Sequence, residues 1–299
     1  MTLHPQAAAA IALWSRGPAV TDPGFGAREI DERRRLAVEE AAAEPKEPVD
    51  HVEMLEAGGV PCRLYRPRAA TGVIVFLHGG GFVFGDIETY DAQSRRIANR
   101  TGFAVLAIDY RRPPEHRFPA APDDVDTVTG WLRADGTGIG LDVTRLVALG
   151  DSAGGNLALV AALRNRAAFA ATVLVYPFID PRMRFPSYGD TSGALKPEEA
   201  AWCWQQYAAT ADDFGNPDLG PIDSAALGSL PPTLVIAAEH DILLDENREL
   251  ARRIEKAGGT VQEVTYPGMV HGFWRHPTLF DAAERSLSET AAFLRRHVP

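Results

Sequence analysis

Two kinds of hydrophobic pattern alternate along this chain. Short, nearly continuous apolar runs predict strands, and most of them are typical of strands buried on both faces of a sheet. Longer stretches that mix polar and apolar residues at helical spacing predict helices. The predicted strands are residues 52–56, 60–65, 73–77, 104–108, 146–150, 172–176, 233–238 and 261–266. The predicted helices are residues 7–14, 31–43, 91–100, 125–133, 156–166, 197–209, 245–257 and 279–296.

The order of these elements predicts an α/β architecture. The first two strands are joined across a Gly-Gly pair, which indicates a hairpin. Strands and helices then alternate, which indicates a mostly parallel sheet of about eight strands flanked by helices. Such sheets bind ligands at the carboxyl ends of their strands. His78, Ser152, Asp241 and His271 each follow a predicted strand closely, so we expect them to lie near one another.

The segment 146–157 carries the strongest chemical signal. An apolar strand ends at Gly150, and the spacing Gly150-x-Ser152-x-Gly154 leads into a predicted helix. This spacing is typical of a nucleophile elbow, a sharp turn that lifts a serine hydroxyl above the sheet. The glycines are needed because side chains at those positions would collide with neighbouring backbone. The alternative is an ordinary glycine-rich turn whose serine caps the helix.

A serine hydroxyl is a weak nucleophile and needs a base within hydrogen-bonding reach. The histidines after Ser152 are His240, His271, His276 and His297. His271 is the preferred base, since we expect a flexible, glycine-containing loop to carry it beyond the last strand. His240 is expected in a turn, and His276 at the start of the last helix.

The base in turn needs a carboxylate that orients it. Asp241 is preferred because it follows the strand 233–238 after a two-residue spacer. Asp245 is the alternative, although its position favours the N-cap of the next helix. The resulting chain order of Ser152, Asp241 and His271 is the order expected when an elbow serine begins a catalytic triad.

A glycine triplet, residues 79–81, follows the strand 73–77. Its backbone N–H groups, with that of Ala153, could stabilise the oxyanion of a tetrahedral intermediate. A phosphate-binding loop is not expected, because no Lys-Ser or Lys-Thr pair follows the triplet. Neither a dinucleotide fingerprint nor a metal-ligand spacing is present, so the sequence predicts no metal and no cofactor.

Composition narrows the functional class further. The chain has 299 residues, 45% of them hydrophobic, and a formal net charge of −10. This charge argues against a nucleic-acid partner, because phosphate binding needs a basic face. Cys62 and Cys203 fit no metal spacing and are expected to be free thiols in a reducing compartment. No apolar run is long enough to span a membrane and the N-terminus is a poor signal peptide, so we expect a cytoplasmic location.

Together these residues resemble the hormone-sensitive-lipase-like carboxylesterases, which are bacterial esterase family IV of the α/β-hydrolase superfamily. The resemblance runs from about residue 60 to residue 273. Its motifs are His78-Gly-Gly-Gly-Phe82, Asp109-Tyr-Arg111, Pro114-Glu-His116, Phe118-Pro-Ala120, Gly150-Asp-Ser-Ala-Gly-Gly155, Glu239-His-Asp241 with Asp245-Glu246, and Met269-Val-His271-Gly-Phe273. One departure is Arg112-Pro113, where the family usually has Leu-Ala.

The resemblance implies an α/β-hydrolase fold and a cofactor-free carboxylesterase that acts on short-chain acyl esters. It implies Ser152 as nucleophile, His271 as base and Asp241 as the residue that orients the base. It also implies a helical cap, which gives residues 1–48 and 178–220 to the cap and residues 49–177 and 221–299 to the catalytic core. The oxyanion hole would consist of the N–H groups of Gly80, Gly81 and Ala153, with His78 organising the glycine loop.

Two further expectations concern the substrate pocket and assembly. Candidate pocket residues are Phe82, Phe185, Tyr188, Trp202 and Phe273, with plain packing as the alternative for each. The last strand, residues 261–266, could pair across a two-fold axis and form a homodimer.

Two other functions fit part of this pattern. A non-catalytic ligand-binding module is one, as in the plant gibberellin receptors that resemble this family but lack the catalytic histidine. The presence of His271 argues against it. A hydrolase of amides, lactones or peptides would use the same triad, so the sequence leaves that alternative open.

Overall fold

The structure is a computed structural model that describes residues 2–14, 19–190 and 192–299. Its centre is an eight-stranded sheet with the order β1-β2-β4-β3-β5-β6-β7-β8. Pairs β1–β2 and β2–β4 are antiparallel, and the remaining neighbours are parallel. The strands are β1 (His51–Ala57), β2 (Val60–Arg66), β3 (Val73–Leu77), β4 (Ala104–Ile108), β5 (Leu146–Asp151), β6 (Ala171–Val175), β7 (Thr233–His240) and β8 (Val261–Val270). The mostly parallel sheet of an α/β-hydrolase fold is confirmed.

Helices cover both faces of this sheet. They are α1 (Pro5–Trp14), α2 (Ala27–Ala42), α3 (Asp91–Thr101), α4 (Ala120–Asp135), α5 (Ala153–Arg164), α6 (Pro197–Tyr207), α7 (Leu244–Lys256) and α8 (Asp281–His297). One hydrophobic cluster joins α4, α5, α6 and α7 to one face, and a second joins α1, α3 and α8 to the other. None of the described helices is long and apolar enough to cross a membrane.

Strand β3 shows why its sequence is apolar throughout. Val73, Val75 and Leu77 belong to the first cluster, whereas Ile74 and Phe76 belong to the second. Successive side chains of a strand point to opposite faces, so a strand with helices on both sides must be apolar at every position. All five side chains are buried, as the continuous run predicts.

Helix α4 begins earlier than the sequence suggested. The prolines before residue 123 favour an extended connection, but the helix starts at Ala120, with Pro119 at its N-cap and Pro122 in its first turn. A proline in the first turn costs no helical hydrogen bond, because the N–H groups there have no helical acceptor. The first turn therefore tolerates a residue that would break the helix further along.

Strand β8 is longer than predicted, and the expected flexible loop before His271 is wrong. The strand continues through Pro267 and Gly268 to Val270, which pairs with His240 beyond an irregularity in β7. Because β8 is the last strand in the sheet order, it tolerates a proline without loss of a ladder hydrogen bond on its open side. His271 therefore directly follows a strand.

Candidate active site

Ser152 lies in the turn between β5 and α5, in a strained backbone conformation. Its φ of 55° and ψ of −119° are rare for a residue with a side chain, and such strain costs roughly 1–3 kcal/mol. The turn is held by hydrogen bonds from the Ser152 N–H to Val175 O (2.8 Å) and from the Phe178 N–H to Ser152 O (3.1 Å). The nucleophile-elbow geometry is therefore present.

The two glycines of the motif have no room for a side chain. A Cβ on Gly150 would lie 2.2 Å from the carbonyl oxygen of Gly154, and one on Gly154 would lie 1.9 Å from that of Leu77. Both distances are far below van der Waals contact with backbone. The glycines thus permit strand, turn and helix to pack together, as the sequence analysis predicted.

A hydrogen-bond chain connects three residues that are distant in sequence. His271 Nε2 lies 2.9 Å from Ser152 Oγ, and His271 Nδ1 lies 2.7 Å from Asp241 Oδ2. A carboxylate oxygen accepts, so Nδ1 carries the proton and Nε2 is left to accept from the serine hydroxyl. The Asp241 side chain is 1% exposed, and its Oδ1 also accepts the N–H of Leu243 at 3.1 Å.

The other candidates for the base and the carboxylate lie in positions that differ from those expected from the sequence. His240 is the last residue of β7 rather than part of a turn, so Asp241 follows the strand without a spacer. Asp245 is not an N-cap, because the N-cap of α7 is Leu243 and Asp245 Oδ2 instead accepts the N–H of Ser187 at 2.9 Å. His276 does not start α8, which begins at Asp281.

The glycine loop after β3 presents backbone N–H groups beside the serine. Gly80 and Gly81 have positive φ values of 113° and 60°, and both line the cavity described below. Within the described part of the chain, the N–H groups of Gly80, Gly81 and Ala153 have no hydrogen-bond acceptor. The Gly79 N–H is different, because it donates to Asp151 Oδ1 at 2.9 Å.

His78 is buried beneath this loop. Its ring stacks on Tyr110 with 4.2 Å between centroids, and its Nδ1 lies 2.9 Å from Gly79 O. Burial lowers the pKa of His78 to about 3, so the imidazole is neutral near pH 7. The ring is thus held against the backbone of the loop.

Asp151, between Gly150 and Ser152, is a further polar residue of the site. It is buried, and its Oδ2 accepts the Tyr90 hydroxyl at 3.0 Å while its Oδ1 accepts from Gly79. Burial raises the pKa of Asp151 to about 6, against the opposing effects of the Tyr90 hydrogen bond and the nearby Arg275 and His271 charges. In the sequence, this network is signalled only by the position of Asp151 between Gly150 and Ser152.

A cavity of about 270 Å³ opens beside Ser152 and His271. The other residues that line it are Val20, Arg33, Gly80, Gly81, Phe84, Tyr90, Asp151, Tyr176, Phe178, Leu195, Glu199, Ala200, Cys203, Gly272, Arg275 and His276. Within the described ranges, no group of three or more His, Cys, Asp or Glu side chains could hold a metal ion.

The structure does not place the five aromatic residues predicted for the pocket in the described lining of this cavity. The described lining includes none of Phe82, Phe185, Tyr188, Trp202 and Phe273. Phe82 is fully buried and stacks on Tyr207 at 3.7 Å between ring centroids. Phe273 is also fully buried and packs edge-on against Tyr176 at 5.8 Å. Both side chains belong to the hydrophobic core.

The other three aromatic residues also pack elsewhere. The Tyr188 hydroxyl donates to Glu246 Oε2 at 2.7 Å, and Phe185 packs on the first hydrophobic cluster. Trp202 comes nearest to the predicted role, since it stacks on Phe84, which does line the cavity, at 6.0 Å. Phe84 was missed because nothing in the sequence distinguishes it from Phe82, two residues earlier.

Arg33 connects distant segments at the wall of the cavity. Its guanidinium lies over the rings of Phe25 and Phe84, with Cζ 5.1 Å from each centroid. Trp202 packs on the same two rings, edge-on against Phe25 at 5.7 Å and stacked on Phe84. We call these four residues the arginine–aromatic cluster. It joins the N-terminal segment, the loop after β3 and α6 beside the cavity.

Comparison with known proteins agrees with the fold. A family model of the α/β hydrolase fold matches residues 74–275. The chain is 33% identical to an ethyl acetate hydrolase of Pseudomonas putida, over 100% of both proteins. An esterase structure from Pyrobaculum calidifontis gives a TM-score of 0.86 at 32% identity and 97% coverage of each chain. An esterase structure from the bacterial hormone-sensitive lipase family gives 0.88 at 28% identity and 100% coverage of each. This chain therefore belongs to the hormone-sensitive-lipase-like carboxylesterases of the α/β-hydrolase superfamily.

Proposed function

We propose that this carboxylesterase hydrolyses short-chain acyl esters through a Ser152–His271–Asp241 triad and an acyl-enzyme intermediate. The observation that carries the proposal is the unbroken hydrogen-bond chain from Ser152 Oγ through the imidazole to Asp241. His271 Nε2 takes the hydroxyl proton while Oγ bonds to the ester carbonyl carbon. Asp241 keeps the imidazole in the required tautomer and stabilises the imidazolium that forms.

The second half of the reaction reuses the same groups. The tetrahedral intermediate collapses as His271 returns the proton to the leaving alcohol, and an acyl group remains on Ser152. A water molecule then attacks the acyl carbon while His271 takes its proton. The second tetrahedral intermediate collapses as His271 returns this proton to Ser152 Oγ, and the carboxylic acid leaves. The N–H groups of Gly80, Gly81 and Ala153, which lack other acceptors in the described chain, stabilise the oxyanion in both steps.

The size of the cavity supports a preference for small substrates. At about 270 Å³ it lies just below the roughly 300–1,000 Å³ typical of sites for drug-sized ligands. Apolar side chains in its lining, among them Phe178 and Leu195, suit a short acyl chain. We therefore expect acetate to butyrate esters to be better substrates than long-chain esters.

We propose that the cap consists of residues 1–48 and 178–220, over a core of residues 49–177 and 221–299. Support comes from the cavity wall, to which Val20 and Arg33 contribute from the first segment and Leu195, Glu199 and Cys203 from the second. Both cysteines are buried free thiols, which supports the proposed cytoplasmic location. The homodimer through β8 stays a prediction, and light scattering tests it.

A p-nitrophenyl ester series from acetate to laurate tests the proposed function. The wild-type protein should release p-nitrophenol fastest from acetate or butyrate, and Ser152→Ala should reduce kcat on the order of 10⁵-fold or more. A fluorophosphonate probe should label the wild type once and Ser152→Ala not at all. Retention of activity by a folded Ser152→Ala variant would refute the assignment of the nucleophile, and a preference for laurate would refute the short-chain proposal.

A further inference from the structure

The proposed oxyanion donors come from two separate segments. Gly80 and Gly81 lie in the loop after β3, and Ala153 lies at the start of α5. Catalysis by such donors requires that they point at one position before the reaction begins. Glycine loses more conformational freedom on folding than any other residue, so a loop of three glycines needs contacts that fix it.

Asp151 supplies a contact of this kind between the two segments. Its backbone belongs to the end of β5, directly before Ser152, and its Oδ1 accepts the Gly79 N–H at 2.9 Å. Its Oδ2 accepts the Tyr90 hydroxyl at 3.0 Å. A Cβ on Gly79 would lie 2.6 Å from Asp151 Oδ2 and 2.9 Å from Tyr90 Oη, so carboxylate, loop and phenol fit closely. One buried side chain thus joins the nucleophile turn to the residue before the donor pair.

We propose that Asp151 is a positioning residue for ester hydrolysis, whose carboxylate fixes the glycine loop so that the N–H groups of Gly80 and Gly81 point at the oxyanion. The inference rests on the proposed function, because it concerns how that oxyanion is stabilised. The carboxylate is engaged by Gly79 and Tyr90, so its influence on the oxyanion passes through Gly79. Its loss should therefore weaken binding of the transition state and leave binding of the substrate nearly unchanged.

Two substitutions separate the hydrogen bond from the charge. Asp151→Asn keeps an oxygen that can accept from Gly79 and offers an N–H to the Tyr90 oxygen, but it removes the negative charge that faces Arg275 and His271. Asp151→Ala removes both acceptors. Tyr90→Phe is the matched control, since it deletes one of the two hydrogen bonds and leaves the one to Gly79.

The test measures kcat and KM for p-nitrophenyl butyrate and the affinity for a trifluoromethyl ketone of the same acyl length. This ketone forms a tetrahedral adduct with a serine and places an oxyanion in the same site. Asp151→Ala should lower kcat about 100-fold, the loss typical of one missing oxyanion donor, with KM within about threefold of wild type. Its affinity for the ketone should fall by a similar factor. Asp151→Asn should keep kcat within about fivefold, and Tyr90→Phe should fall between wild type and Asp151→Ala.

Several results would overturn the inference. They are wild-type kcat in Asp151→Ala, a raised KM with intact kcat, and unchanged affinity for the ketone. A loss in Asp151→Asn as large as that in Asp151→Ala would show that charge, not the hydrogen bond to the loop, is what matters. If Asp151→Ala does not fold, Asp151→Leu decides, because it keeps about the same side-chain volume and also removes both acceptors, so wild-type kcat there overturns the inference. Failure of the proposed function differs from all of these, since the wild type itself would then not hydrolyse the ester.

Discussion

Replacement of Asp151 by asparagine should change how the stability of the protein depends on pH. Burial raises the pKa of this carboxyl from 3.8 to about 6, so the folded state holds its proton more tightly than the unfolded chain does. The resulting stabilisation is fully present below the unfolded pKa and is lost as the pH rises to about 6. Each pKa unit corresponds to about 1.36 kcal/mol, so the whole effect is about 3 kcal/mol. Most of this stabilisation is lost between pH 4 and pH 7.5.

Urea unfolding of the wild type and of Asp151→Asn, at pH 4 and at pH 7.5, measures this effect. Other carboxyl groups titrate in both proteins, so the difference between the two free energies of unfolding isolates residue 151. Relative to the variant, the wild type should lose about 2–3 kcal/mol between the two pH values. The Tyr90 hydrogen bond lowers the pKa of Asp151. In a protein that keeps Asp151, Tyr90→Phe should therefore make the free energy of unfolding depend more steeply on pH than in the wild type. A pH-independent difference between wild type and Asp151→Asn, or one of opposite sign, would refute the reasoning.

Five other substitutions, two of them controls, test further parts of the structure. Gly154→Ala places a Cβ 1.9 Å from a backbone oxygen and should reduce kcat/KM about 100-fold or more. Gly130→Ala is the control, since Gly130 lies in an open part of α4. This change should raise the free energy of unfolding by roughly 0.5–1 kcal/mol. Asp241→Asn should lower kcat by about 10³–10⁴-fold at nearly constant KM, since the imidazole would lose its required tautomer, and a smaller loss than tenfold would contradict this. Phe84→Ala should enlarge the cavity and shift the preference in the p-nitrophenyl ester series toward longer acyl chains. Phe82→Ala should lower the free energy of unfolding in urea by about 3–5 kcal/mol without shifting that preference.

The sequence predicted the sheet well because each buried strand leaves a local signal. The run from Val73 to Leu77 matches β3 residue for residue, since a strand with helices on both faces must be apolar throughout. The three residues of the hydrogen-bond chain were also identifiable. Ser152 has a local motif, and Asp241 and His271 follow strands in the expected chain order. In these cases, a local pattern and the topology of the sheet are enough.

The lining of the cavity could not be predicted in the same way. Phe82 has a positive φ of 66°, and its ring stacks on Tyr207 of α6, more than a hundred residues later. Which of two nearby phenylalanines faces the cavity depends on that distant contact. The length of β8 also depends on the tertiary structure. A proline would end a central strand, but Pro267 is tolerated because β8 lies at the edge of the sheet.

The arginine–aromatic cluster has a consequence for how the substrate preference of this protein can change. A residue of α2 touches the loop that carries the proposed oxyanion donors, since Arg33 lies on the ring of Phe84, only three residues after Gly81. Trp202 of α6 stacks on that same ring. Mutations of Arg33 or Trp202, far from Ser152 in sequence, therefore also change contacts with the loop that carries the proposed oxyanion donors. We therefore expect substitutions in this cluster that reshape the cavity for a new ester to change the rate of hydrolysis as well.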